Sequence, residues 1–276
     1  MRHKRKAWRD STVKEWSKVA MEARKAHRTV CFARLFGICV LKHSELPVGD
    51  TRRKYTYRVV FGGNNVIDES WGAVQFIDLG SSPSSMSAGK FLDFYSCLPG
   101  NDGQQADAQQ AYLQTDYTGT ETWIRLPEEA WLPEWYDEDG APLYQNPVVL
   151  MEKAIYGHPD SGSLWEKHCD DILVKKIRFH HIQGWDSCYY HPETKLLLSV
   201  YVDDFKLAGP RGKLSGMWDR LRKFVDLDPP EPFGQFLGCA HKRFKARVSP
   251  ADLPGAEENA SKEKVPVIGI EYDMQG

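Results

Sequence analysis

The chain has 276 residues, a formal net charge of -2 at pH 7, 27% charged and 41% hydrophobic residues. This balance excludes a disordered or collagen-like chain, and the near-neutral charge excludes a uniformly basic nucleic-acid binder. No apolar run reaches the roughly 18 residues that span a bilayer, and the N-terminus lacks the apolar region of a signal peptide, so the expectation is an intracellular protein, cytoplasmic or nuclear.

Charge is locally segregated. Residues 1–28 hold ten Lys or Arg, whereas residues 127–140 hold six acids and no Lys or Arg, so the basic end is the one suited to phosphate. The six cysteines are scattered without a C-x-x-C pair, which reads as reduced thiols. The grouping His168, Cys169, His180, His181, Cys188 and His191 has zinc-type donors at irregular spacing, and core or surface roles are the favoured reading.

In chain order, Thr12 with Glu15 has the form of a capping box, and Val13, Trp16, Ala20 and Ala23 follow at helical spacing, predicting a helix over 12–27. Residues 30–41 and 55–61 are rich in aromatic and β-branched types and flank Pro47 and Gly49, predicting an antiparallel strand pair. Ser81 to Ser85 is a breaker and N-cap zone before a helix from Met86 to Cys97 that stops at Pro99-Gly100. A strand start is expected near Gln105 to Ala108, and an irregular excursion from Pro127 to Pro147. A helix is expected over 163–178. The runs Leu196 to Val202 and Phe205 to Ala208 predict a hairpin with Asp203 and Asp204 at its tip. A helix over 213–225, a strand near Gln235 to Cys239 and a mobile tail beyond Ser249 complete the reading, with Val265 to Tyr272 able to add an edge strand. The domain expectation is a basic helical arm over 1–29, a main body over 30–249 and a flexible tail over 250–276.

The chemically informative string is Tyr201-Val202-Asp203-Asp204. Two adjacent carboxylates at the end of an apolar strand repel each other unless a cation shares them, and a hard divalent ion with oxygen ligands is the natural partner. A third carboxylate on a neighbouring strand is then required.

These residues, with Leu196-Leu197-Leu198-Ser199-Val200 before them, resemble the palm motif of Ty1/copia-type retrotransposon reverse transcriptases. Gln105-Ala106-Asp107-Ala108-Gln109-Gln110-Ala111-Tyr112-Leu113 is similar to that family's first catalytic motif. Lys153-Ala154-Ile155-Tyr156-Gly157 with Trp165, Phe236-Leu237-Gly238, and Arg58-Val59-Val60 followed by Gly63 are similar to further blocks in the family's order. The resemblance spans about residues 30 to 245. It implies an α+β polymerase fingers-palm fold, with an antiparallel palm sheet backed by helices and no complete thumb. It also implies an RNA-directed DNA polymerase that uses two Mg²⁺ ions, with Mn²⁺ as a substitute, on an RNA or DNA template-primer and deoxynucleoside triphosphates.

The implied roles are metal binding and catalysis for Asp107, Asp203 and Asp204. The implied substrate-binding residues are Arg58 at the triphosphate, Tyr112 at the sugar, Asp160 at the nucleotide, Gly238 at the primer terminus, and Tyr201 beside the catalytic pair. The chain departs from the family pattern at Thr56, where a Lys is expected, and at Asp160-Ser161-Gly162 in place of Gln-Ala-Pro. It carries no recognisable integrase, protease or ribonuclease H segment. The alternatives are a catalytically inactive remnant that at most binds nucleic acid, and an unrelated structural protein in which Asp107 lies far from Asp203.

Overall fold

A computed structural model describes the chain except residues 77–80, 237–238, 254, 256, 258–259 and 274–276, and the side chains of residues 2 and 3. The short helix α1 (Arg2–Arg5) precedes strand β1 (Trp8–Glu15), helix α2 (Trp16–Lys25), and strands β2 (Cys31–Lys42), β3 (Lys54–Phe61) and β4 (Ile67–Asp68). Helix α3 (Met86–Cys97), β5 (Asn101–Asp107), β6 (Thr122–Arg125), β7 (Pro147–Met151) and helix α4 (Ser161–Asp170) follow. Next come β8 (His180–His181), β9 (Cys188–His191), β10 (Leu196–Tyr201), β11 (Asp204–Pro210) and helix α5 (Arg211–Leu221). The short strands β12 (Glu231–Pro232) and β13 (Gln235–Phe236) lead into the long hairpin of β14 (Cys239–Val248) and β15 (Val265–Asp273). The architecture is α+β, and the chain divides into two compact units: Met1–Ser81 with Gln110–His168, and Ser82–Gln109 with Cys169–Gly276.

The first unit is built on a sheet in the order β1-β7-β6-β2-β3, with β4 also against β2. The expected strand pair is present, β2 and β3 running antiparallel from Leu35 opposite Phe61 to Lys42 opposite Lys54. The helix expected over 12–27 is corrected: its first four residues belong to strand β1, and only Trp16–Lys25 is helical. Thr12 and Glu15 do not close a capping box because both are engaged elsewhere. The Thr12 hydroxyl donates to the Arg9 carbonyl at 2.6 Å and accepts from Leu150 N at 2.9 Å, while the Glu15 carboxylate accepts from the amides of Gln145 and Asn146. These bonds seat β1 on β7 across a register shift between Arg9 and Lys14. The helix then buries Val19, Ala20 and Ala23 against Val30, Phe32, Trp123 and Val148. Trp16 stacks on Phe32 at 4.4 Å and on Trp71 at 5.3 Å, and each such ring pair adds about 1 kcal/mol beyond area burial.

The second unit carries an antiparallel sheet in the order β12-β5-β11-β10-β9-β8, and a three-stranded sheet β13-β14-β15. Helix α3 has the bounds that its sequence signals predict, because the Ser85 hydroxyl accepts from Ala88 N at 3.1 Å and Pro99 follows its end. Strand β5 begins at Asn101 and ends at Asp107, earlier than the expected start near Gln105. The helix expected over 163–178 is α-helical only to Asp170. It continues as a π-helical segment, Asp171–Ile177, closed by Arg178 at φ 73°. Helix α5 likewise ends at Leu221 rather than 225, and residues 222–224 form a turn. The expected edge strand near the C-terminus exists as β15, paired with β14 from Ala240–Asp273 to Val248–Val265. Among the described residues no helix is long and apolar enough to cross a membrane.

Candidate functional site: a carboxylate cluster at the end of a sheet

Strands β10 and β11 form a hairpin whose last paired residues are Tyr201 and Asp204, so the two-residue turn is Val202-Asp203 and not the expected Asp203-Asp204. Val202 occupies the left-handed region at φ 54°, where a β-branched side chain crowds its own backbone. Such a two-residue turn needs a positive φ at its first position. The strain therefore sits in the residue that separates Tyr201 from the acids.

On the other edge of β11, the antiparallel register with β5 runs from Pro210 opposite Asn101 to Asp204 opposite Asp107. The same register continues into the turn, where Ala108 N donates to the Asp203 carbonyl at 2.7 Å. Asp107, Asp203 and Asp204 thus meet at one end of the sheet although almost a hundred positions separate the first from the others. The reading that needs Asp107 far from Asp203 is not met by this geometry.

The electrostatics follow from that crowding. Burial pushes Asp204 up to about 7, with the charges of Asp203 and Asp107 acting in the same direction. Asp107 is also raised, by burial and then by Asp203, while a hydrogen bond from Asp204 opposes the rise. Asp107, Asp203 and Asp204 thus crowd three carboxyl groups into one place, each disfavouring the ionised form of its neighbours. Among the described residues no three His, Cys, Asp or Glu side chains are arranged around a metal-sized gap. The donor set itself is hard oxygen, the type that Mg²⁺ and Mn²⁺ take. A divalent cation held there would relieve this repulsion, so the chemistry of these residues fits such an ion.

A fourth acid, missed at the sequence level, supports the cluster. Asp228 N donates to the Asp107 carbonyl at 2.8 Å, and the Asp228 carboxylate accepts from Gln109 Nε2 at 2.7 Å. Asp228 and Glu231 both push the Asp107 carboxyl upward. The signal available for Asp228 is its place before Pro229-Pro230, which stops the chain beside β5.

The remaining candidates divide between the units. Tyr201 is half-buried in the second unit, paired with Asp204. Gly238 and Leu237 lie outside the described residues, between β13 and β14. Arg58, Tyr112 and Asp160 belong to the first unit. Arg58 is exposed on β3 opposite Ile38, and Thr56 lies opposite Val40. Tyr112 sits in a 3-10 turn with its ring 4.5 Å from that of Tyr156. Asp160 immediately precedes α4, its carbonyl accepting from Leu164 N and from the Ser163 hydroxyl at 3.0 Å, and burial raises its carboxyl.

The loop that carries Tyr156 and Asp160 is pinned to β3. Phe61 N donates to the Tyr156 carbonyl at 2.7 Å, and Gly157, at φ 90°, lies so close that a Cβ there would meet the Phe61 oxygen at 2.4 Å. His158 plugs the space behind the loop. It is 4% exposed, with the rings of Phe61, Phe76 and Tyr117 centred 4.7, 5.1 and 4.9 Å away. Its Nδ1 accepts from Asp160 N at 3.1 Å, its Nε2 has no hydrogen-bond partner among the described residues, and burial lowers it to about 4.

No known protein-family model matches the chain, and no curated protein matches it.

Proposed function

We propose that this chain is the polymerase core of a reverse transcriptase resembling the Ty1/copia type, with Asp107, Asp203 and Asp204 as the residues that hold its divalent cations. The observation that carries the reading is the β5–β11 register that sets Asp107 opposite Asp204, beside the Asp203 turn. Bound there, Mg²⁺ supplies charge stabilisation for an in-line displacement at phosphorus, on a template-primer with a deoxynucleoside triphosphate. The chain's own contribution is to concentrate negative charge at a sheet end, to hold Asp107 by its backbone bond from Asp228, and to fix Asp203 through its carbonyl and the strained Val202. Arg58, Tyr112 and Asp160 enter the proposal only through the sequence resemblance.

The test is primer extension on an RNA template with Mg²⁺, run beside an Asp203→Asn variant that keeps the hairpin. Extension by the parent chain and its loss in the variant are the expected result. A second reading, an inactive remnant that binds nucleic acid, is favoured by Thr56, where the family pattern has a Lys, and by Asp160, an acid where that pattern has a Gln. Equal silence from both proteins, with template-primer binding intact, would favour it.

A further inference from the structure

Asp107 is the last residue of β5, and a strand end frays unless both of its edges are held. On one edge lies β11. The other is closed by the segment that follows α5: Asp228 N donates to the Asp107 carbonyl and Gln109 N to the Asp226 carbonyl, both at 2.8 Å, and Ala108 lies opposite Leu227 between them. Further along, Glu231 and Pro232 of β12 pair with Gln105 and Gln104. Residues 226–232 thus form a strap along β5. The strap is fixed in its turn: Val225 and Leu227 are buried, Arg222 donates to the Asp228 carbonyl at 2.7 Å, and Pro229-Pro230 lock two consecutive φ angles.

The strap also brings charge to the carboxylates. Gln109 Nε2 donates to the Asp228 carboxylate at 2.7 Å, a bond from a neutral amide that fixes the direction of the acid and leaves its charge intact. Glu231 is held in the same way by Gln105 Nε2 at 3.2 Å. Among the described residues no Lys or Arg forms an ion pair with Asp107, Asp228 or Glu231, and Asp228 and Glu231 both push the Asp107 carboxyl upward. In the cation-free chain this arrangement is costly, since each added carboxylate disfavours the ionised form of the next. For a divalent ion the sign reverses, because its affinity rises with the number of negative charges around it.

We propose, as a deepening of the polymerase reading on which it rests, that Asp228 is a positioning residue for the cations held by Asp107, Asp203 and Asp204, with Gln109 setting the direction of its carboxylate. Asp228 acts through Asp107: its amide holds the carbonyl of that residue, and its charge deepens the negative field at the carboxylate. Groups that orient and polarise the ligands of a metal typically change its affinity by about 10- to 100-fold.

The test is a titration of Mn²⁺ into the full chain at pH 8, without nucleic acid or nucleotide, the free ion being read from its electron paramagnetic resonance signal. The parent is expected to bind the ion saturably and Asp203→Asn to lose that binding. Asp228→Asn keeps the backbone amide and an acceptor for Gln109 but removes the charge, and should raise the dissociation constant by about tenfold. Gln109→Leu keeps the charge and frees its direction, and should raise the constant by a smaller factor. Urea unfolding of the metal-free proteins separates position from mere support: a group that only holds the fold lowers stability and leaves the dissociation constant where it was. A constant equal to the parent's in folded Asp228→Asn would overturn the assignment while the polymerase reading stood, whereas a parent chain with no binding sensitive to Asp203→Asn would remove both. Should Asp228→Asn fail to fold, an unchanged constant in Gln109→Leu overturns the assignment.

Discussion

Lowering the pH from 7 to 5 should remove the stability contributed by one residue, His158, an effect isolated by comparing the parent chain with a variant that lacks its imidazole. Enclosed by three aromatic rings and 4% exposed, it is held near 4 by burial, against an ordinary value of 6.5. Between those values the unfolded chain takes up a proton that the folded chain refuses. Stability therefore rises with pH across the window from 4 to 6.5 and is lost as pH falls through it. The full separation corresponds to about 3 kcal/mol, of which about 2 kcal/mol is lost by pH 5. The assay is urea unfolding followed by tryptophan fluorescence at pH 7 and pH 5, for the parent chain and for His158→Phe. The phenylalanine keeps a ring in the aromatic pocket and removes the titration. It also removes the acceptor for Asp160 N, which lowers stability at both pH values equally. The parent chain should lose about 2 kcal/mol more than the variant on acidification. An equal change of stability in the two proteins would refute the assignment of His158 as a buried neutral imidazole.

Three other outcomes follow from the second unit. At pH 8, millimolar Mg²⁺ should raise the melting temperature of the parent chain and leave Asp107→Asn and Asp204→Asn unmoved; a rise of equal size in all three, read by differential scanning fluorimetry, would place the ion elsewhere. Val202→Gly should stabilise by about 1 kcal/mol in equilibrium denaturation, because glycine accepts a φ of 54° without the crowding that valine suffers there. Lys206→Met should cost about 3 to 5 kcal/mol by leaving Asp93 buried and uncompensated, and adding Asp93→Leu should restore most of it; a double variant no better than the single would show that the loss is one of packing.

Legibility in the sequence tracked how local each cause was. Helix α3 was readable to the residue because Ser85 and Pro99, which cap and stop it, are its own neighbours. The β2–β3 pair was readable from its β-branched and aromatic runs. The N-terminal helix was overextended because Thr12 and Glu15 imitate a cap, while their actual partners, Leu150, Gln145 and Asn146, are remote. Strand β5 gave little signal, since Asn101-Asp102-Gly103-Gln104-Gln105 is polar and gains its strand character only by lying between β11 and β12. The turn was misplaced by one residue because an Asp pair reads as a turn and a valine with positive φ does not. The resemblance named the three acids, but their meeting depends on a long-range register that no local pattern encodes. The Lys206–Asp93 pair was invisible for the same reason: one residue reads as a strand lysine, the other as a helix aspartate.

The placement of β1 bears on how this polypeptide is made. Among the described residues its strand partner in the sheet is β7, and the Thr12 hydroxyl that receives Leu150 N must wait across 138 positions of chain. At synthesis rates of about 5 to 20 residues per second, the first strand stays without its neighbour for roughly 7 to 30 seconds. A nascent chain stalled before residue 147 would keep that edge open, as a target for chaperones and for pairing with other nascent copies.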